Sequence, residues 1–227
     1  MRHASQGHQQ VRLSRSQIAQ RAMRAALDLR RAGGYSLSEA LPVYDLAQRH
    51  GLEVRFVDIA SLEGMYLKAS PGPTILVAAD RPPGRQAYNC AHEIGHHVAE
   101  DGTRIDQYFD REPTSIPFDP SEFAADAFAG FLLMPKMAVS RAFAVRSLDP
   151  RSCPAEAIYN VSGYFGVGYT ALVNHLAHGL RMIESSRADA LLKAKPKDLR
   201  AALNGAPLET DLFVVDGHWT GRPVDLQ

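Results

Sequence analysis

The sequence predicts an α+β fold, mainly helical, with a small three-stranded antiparallel sheet near its N-terminal third and a helical C-terminal region. Three observations carry this. Apolar residues recur at helical spacing through most of the chain. Strand-like alternation is confined to residues 52–78. Prolines and glycines punctuate the chain at intervals suited to short helices. A hydrophobic share of 45% over 227 residues is enough for a real core.

The elements follow in order. Ser14 and Gln17 have capping-box spacing, which starts a helix that Gly33-Gly34 ends. Within it Ile18, Ala22, Ala25 and Leu29 share one face, while Arg21, Arg24 and Arg31 lie largely opposite. A second helix runs from Pro42 to His50 and stops at Gly51. Leu52, Val54 and Phe56 alternate with Glu53 and Arg55 as in a half-buried strand. Two more strands, near Met65–Lys68 and 74–78, flank the turn Pro71-Gly72-Pro73. Pro82-Pro83-Gly84 introduces a helix from Arg85 to Glu100, and residues 103–118 read as a loop. Asp119-Pro120 opens a helix that closes at Met134-Pro135. Further helices are expected near 136–146, 154–164, 168–182 and 186–204, with an extended tail or strand after them. The units expected are a basic tail and helix over 1–34, a main domain over 35–146, a helical region over 147–204 and a tail over 205–227.

Charge and cysteine content narrow the function. Twenty-five basic residues balance 25 acidic ones, so the whole chain offers no electrostatic case for nucleic acid or membrane. The apolar run from Ala127 to Met134 is too short to span a bilayer. The first residues are polar and basic, unlike an export signal, so a cytoplasmic location is expected. Cys90 and Cys153 are read as two free thiols in helices. Residues 1–31 hold seven arginines against the single acid Asp28. The simplest reading is a docking helix with a solvated basic face. A surface for DNA or an acidic partner is the lesser reading.

The chemistry concentrates in His92-Glu93-Ile94-Gly95-His96. Two histidines four apart on a helix project from one face, and their ring nitrogens can share one zinc ion. Glu93 is placed to take a proton from water at the open coordination position, the role of a general base. Gly95 costs about 1 kcal/mol in a helix interior relative to alanine, which suggests that another backbone or a substrate approaches there. A catalytic zinc needs a third protein ligand. Glu122 is the best candidate, with Asp126 one turn later on the same side to hold a ligating imidazole. A competing explanation for Glu122 is a capping box with Asp119. Asp110, Glu112 and Asp119 are the competing ligands, and Tyr66, Tyr88 and His97 are candidate donors to the reacting oxygen. His97 is turned about 100° from His96 and is read as a neighbour, not a ligand. His175 and His178 are read as packing or exposed residues. Residues 161–180 could imitate a helix-turn-helix, but two packed helices joined by a Gly-rich turn are the simpler reading.

The run Cys90-Ala91-His92-Glu93-Ile94-Gly95-His96, followed by Glu122, Ala125-Asp126, Phe128-Ala129 and Leu132-Leu133-Met134-Pro135, resembles the ImmA/IrrE family of metallopeptidases. The resemblance covers roughly residues 38–180. It departs from the usual pattern at Asn89-Cys90, where a serine or threonine often precedes Ala-His-Glu, and in the extra His97. The Glu-x-x-x-Asp arrangement is likewise similar to that of thermolysin-like gluzincins. The resemblance implies a zincin-like core and a zinc endopeptidase that cuts a helix-turn-helix repressor, relieving repression of stress or mobile-element genes. By position it makes His92, His96 and Glu122 the Zn2+ ligands and Glu93 the general base. A zinc-containing regulator that binds a repressor or DNA without cutting is the alternative. The sequence leaves oligomeric state open.

Overall fold

The computed structural model describes residues 13–59, 61–68, 71–100, 102–107 and 118–203. The fold is α+β, as expected. Helix α1, Arg15–Ala32, begins on the Ser14 capping box, with both reciprocal contacts to Gln17 made. It buries Ile18, Ala22, Ala26 and Arg30 and leaves Arg21, Arg24 and Arg31 exposed, so the basic face is solvated. Helix α2, Val43–Arg49, follows, and Gly51 reverses the chain with φ +75°.

The sheet departs from expectation in two ways. It has four strands and is mixed, in the order β1-β3-β2-β4. Strands β2 (Leu62–Leu67) and β3 (Thr74–Ala78) form the antiparallel hairpin anticipated around the Pro-Gly-Pro turn. Strand β1 (Glu53–Val57) instead runs parallel to β3. Hydrophobicity explains the order. The run Thr74-Ile75-Leu76-Val77-Ala78 buries Ile75, Val77 and Ala78 completely and so takes a central place. Charged Glu53 and Arg55 suit β1 to an edge, and Phe56 there is 37% exposed. The fourth strand, β4 (Arg104–Gln107), lies in the stretch read as loop; it pairs with β2 across an irregularity between Leu62 and Gly64.

Helix α3, Pro83–Val98, packs on the face of β2 and β3, and α4, Pro120–Leu133, crosses it. Behind them come α5 (Lys136–Ala144), α6 (Ala155–Tyr164), α7 (Tyr169–Asn174), a π-turn over His175–Gly179, α8 (Ser185–Leu191) and α9 (Pro196–Ala202). Where one helix was expected over 186–204 there are two, because Pro196 restarts the chain at a new first turn. The tails expected at 1–11 and 205–227 lie outside the described residues. Both cysteines are free and buried, as expected; Cys153 precedes α6 rather than lying within it. No single described helix is long and apolar enough to cross a membrane.

Two buried side chains anchor the end of α4. Arg30 is wholly buried, a position its basic neighbours did not foretell. Its Nη1 donates to Leu132 O at 2.6 Å, its Nε to Ser36 O at 3.1 Å and its Nη2 to Glu39 O at 2.8 Å. Each bond repays part of the cost of burying a guanidinium, and one caps a helix carbonyl that lacks an intrahelical partner. His175 lies within hydrogen-bond distance of Met134 O, Nε2 at 3.0 Å. Its ring fits because Gly130 and Gly179 carry no Cβ; one built on Gly130 would stand 2.7 Å from Nδ1. His178 is exposed.

Burial pushes the His175 imidazole down to about 4. An unfolded histidine titrates near 6.5. Between those values the unfolded chain holds a proton that the folded chain refuses. The stabilisation is therefore full above about pH 6.5 and is lost as pH falls toward about 4, by on the order of 3 kcal/mol. Urea melts of the wild type and His175→Gln at pH 7 and pH 4.5 check this. The variant is expected to lose less stability on acidification, and equal losses would refute the assignment.

Candidate metal centre

Helix α3 begins on Pro82-Pro83, where a missing N–H costs nothing. From Cys90 to His96 every residue is buried, so the HExxH turn sits inside the protein and not on a surface helix. Gly95 meets α4: a Cβ there would lie 3.1 Å from Ala125 Cα and 3.2 Å from Phe128 Cδ1. The expected close approach is therefore by backbone. It draws the first two turns of α4 onto the two histidines.

Helix α4 starts as the sequence suggests, but the capping work falls to Asp119 alone, whose carboxylate accepts from Ser121 N at 2.8 Å. Glu122 turns inward. Its Oε2 lies 3.2 Å from His92 Nε2 and its Oε1 lies 3.6 Å from His96 Nε2. The two Nε2 atoms are 3.0 Å apart. Hydrogen bonding to these imidazoles holds the Glu122 carboxyl well below the usual carboxylate range. Asp126, one turn on, places Oδ1 at 3.0 Å from His92 Nδ1. A carboxylate accepts, so with a metal ion bound that contact would keep the ring proton on Nδ1 and free the Nε2 lone pair to ligate.

These donors fit a metal ion. Ligand atoms of His92, His96 and Glu122 all lie within 4.8 Å of one another. Around a tetrahedral ion with bonds of about 2.0–2.1 Å, ligand atoms stand about 3.3 Å apart. The three separations here, 3.0, 3.2 and 3.6 Å, bracket that value. Two imidazoles and one carboxylate are three protein ligands, the number that leaves one position open for water or substrate.

Glu93 is fully buried. Its carboxylate lies under β2, where Gly64 makes room for it: a Cβ on Gly64 would collide with Oε1 and stand 3.2 Å from Cδ. The sequence reading missed this residue, although a glycine inside a strand is a recognised sign of close approach. Gly64→Ala is expected to displace the Glu93 carboxylate. Metal content should be unchanged while turnover falls at least about tenfold, a small part of the ~10²–10⁴ that a general base contributes. Metal analysis beside peptide hydrolysis measures both. An unchanged rate would show that the carboxylate does not need this space.

The remaining candidates fall elsewhere. Tyr88 donates its hydroxyl to Asp126 O at 3.1 Å, which holds α4 against α3. Tyr66 and His97 pair with each other, hydroxyl to Nδ1 at 3.0 Å. Burial, helped by His50 and Lys68, pushes the His97 imidazole down. His97 is thus a neighbour of the centre, as read from its angle on the helix. Asp119 is occupied as a cap, and Asp110 and Glu112 lie outside the described residues.

No curated protein matches the chain. The sequence profile of the peptidase family described as the IrrE N-terminal-like domain matches residues 47–177, more than half of the length and both halves of the metal centre. The chain belongs to that metallopeptidase family.

Proposed function

We propose that this protein is a zinc-dependent endopeptidase that cleaves a helix-turn-helix transcriptional repressor, relieving repression of stress or mobile-element genes. One observation carries the catalytic part: a buried carboxylate, Glu93, stands on the same helical turn as two imidazoles that converge on Glu122. The nitrogen-and-carboxylate donor set and the three-ligand count favour zinc. The repressor as target rests on membership of the family and on the resemblance of the motifs.

When bound, a metal ion here would polarise a peptide carbonyl and acidify a water molecule. His92, His96 and Glu122 would hold that ion, and Asp126 would keep His92 in the ligating tautomer. Glu93 Oε accepts the proton that water loses on attack and passes it to the departing amine nitrogen. Its burial keeps bulk water from competing for that proton.

The exposed arginines of α1 favour one other reading, a regulator that binds a repressor or DNA without cutting. Glu93 weighs against it, because structural zinc has no use for a base. The test is incubation with any helix-turn-helix regulator encoded beside its gene, with zinc and with chelator. Discrete fragments formed only with metal are expected. Regulator binding without cleavage in either condition would overturn the proposal in favour of the non-proteolytic reading.

A further inference from the structure

A groove of about 1480 Å3 lies between α1, the start of α3, α4 and the α6–α9 region. It exceeds the roughly 300–1,000 Å3 of ordinary small-molecule pockets and suits a length of polypeptide. Asp126, Tyr88 and Phe123 line it, so it is continuous with the side chains that support the metal ligands. Met23, Phe131, Tyr159 and Tyr169 give it apolar walls.

Its charge is one-sided. Among the described residues that line it, Asp126 is the only acid, and that carboxylate is engaged by His92 Nδ1. Against it stand Arg85, Arg181 and Arg200. Arg85 is bridged to Glu63 at 2.8 Å, while Arg181 and Arg200 are exposed and form no ion pair among the described residues. Arg181 is held at φ 53°, in the left-handed region that a non-glycine residue enters only at a cost. It lies two residues after the π-turn that carries His175, and such turns are frequent at functional sites. The strained backbone thus lies where an arginine meets the groove.

We infer that this groove receives a segment of the protein substrate rich in acidic and apolar residues. The inference rests on the peptidase reading above and adds the chemistry of what is recognised. Apolar side chains enter the aromatic walls, and carboxylates meet Arg181 and Arg200.

The experiment uses the full chain carrying Glu93→Gln, so that binding is read without hydrolysis. Two fluorescent peptides serve as probes, one alternating glutamate with leucine and the other lysine with leucine. The acidic peptide is expected to bind about tenfold more tightly, and Arg181→Glu with Arg200→Glu should abolish or reverse that preference. Circular dichroism confirms folding of the variants. Equal binding of both peptides, binding of neither, or a preference untouched by charge reversal would overturn the inference. A change of oligomeric state on charge reversal, read by sedimentation, would assign the groove to a second copy and overturn it too. Charge-selective binding with no cleavage by the zinc-loaded wild type would leave the groove assigned and sink the peptidase reading instead.

Discussion

Replacing Glu93 with glutamine is expected to lower peptide hydrolysis by about 10²–10⁴-fold while leaving the metal in place. The amide keeps the shape of the side chain but cannot accept water's proton. His92, His96 and Glu122 are untouched, so metal content should match that of the wild type. Stability should hold or rise, because a carboxyl in a fully buried position is replaced by a neutral amide of the same shape. Steady-state hydrolysis, metal analysis and thermal melting on one preparation separate these effects. A loss of metal in step with the loss of rate would show that Glu93 is a ligand, and the assignment of roles would fall.

Glu122→Ala is expected to act on the metal itself. Removing the carboxylate leaves two buried imidazoles facing each other at 3.0 Å, with no anionic donor between them and solvent. Affinity should fall by more than about 100-fold, beyond the ~10–100-fold typical when a supporting partner is lost. Asp126→Asn marks that lesser range, because it disturbs only the orientation of His92. Competition with a chromophoric chelator ranks the three proteins. The expected order of affinity is wild type, Asp126→Asn, Glu122→Ala. An Asp126 variant weaker than the Glu122 variant would reverse the roles given to the two carboxylates.

The site was far more legible in the sequence than the sheet was. His92, Glu93 and His96 lie within one helical turn, so local geometry alone places them together. Glu122 needed more, since its spacing from Asp119 fits a capping box equally well; the distinction is tertiary, made where Gly95 lets α4 approach α3. Glycine was a usable signal in both places that mattered. Gly95 marks an approach point inside a helix, and Gly64, which clears space for Glu93, marks one inside a strand. The parallel pairing of β1 with β3 depends on which strand wins the centre of the sheet, a competition among non-local contacts that alternation within one strand does not report. Strand β4 is short and sits in a polar stretch with no alternation to show it. Arg30 was hidden among exposed arginines, because burial of a cation depends on carbonyls from Ser36, Glu39 and Leu132, the last about a hundred residues away.

The central claim is that His92, His96 and Glu122 jointly hold the metal ion that the peptidase chemistry needs. X-ray absorption at the zinc edge of the zinc-loaded full chain tests it most directly. The expected spectrum shows two imidazole nitrogens and carboxylate oxygen at about 2.0–2.2 Å, in a four- or five-coordinate shell. A sulfur scatterer near 2.3 Å, or a shell of oxygens without imidazole, would place the metal elsewhere and contradict the account.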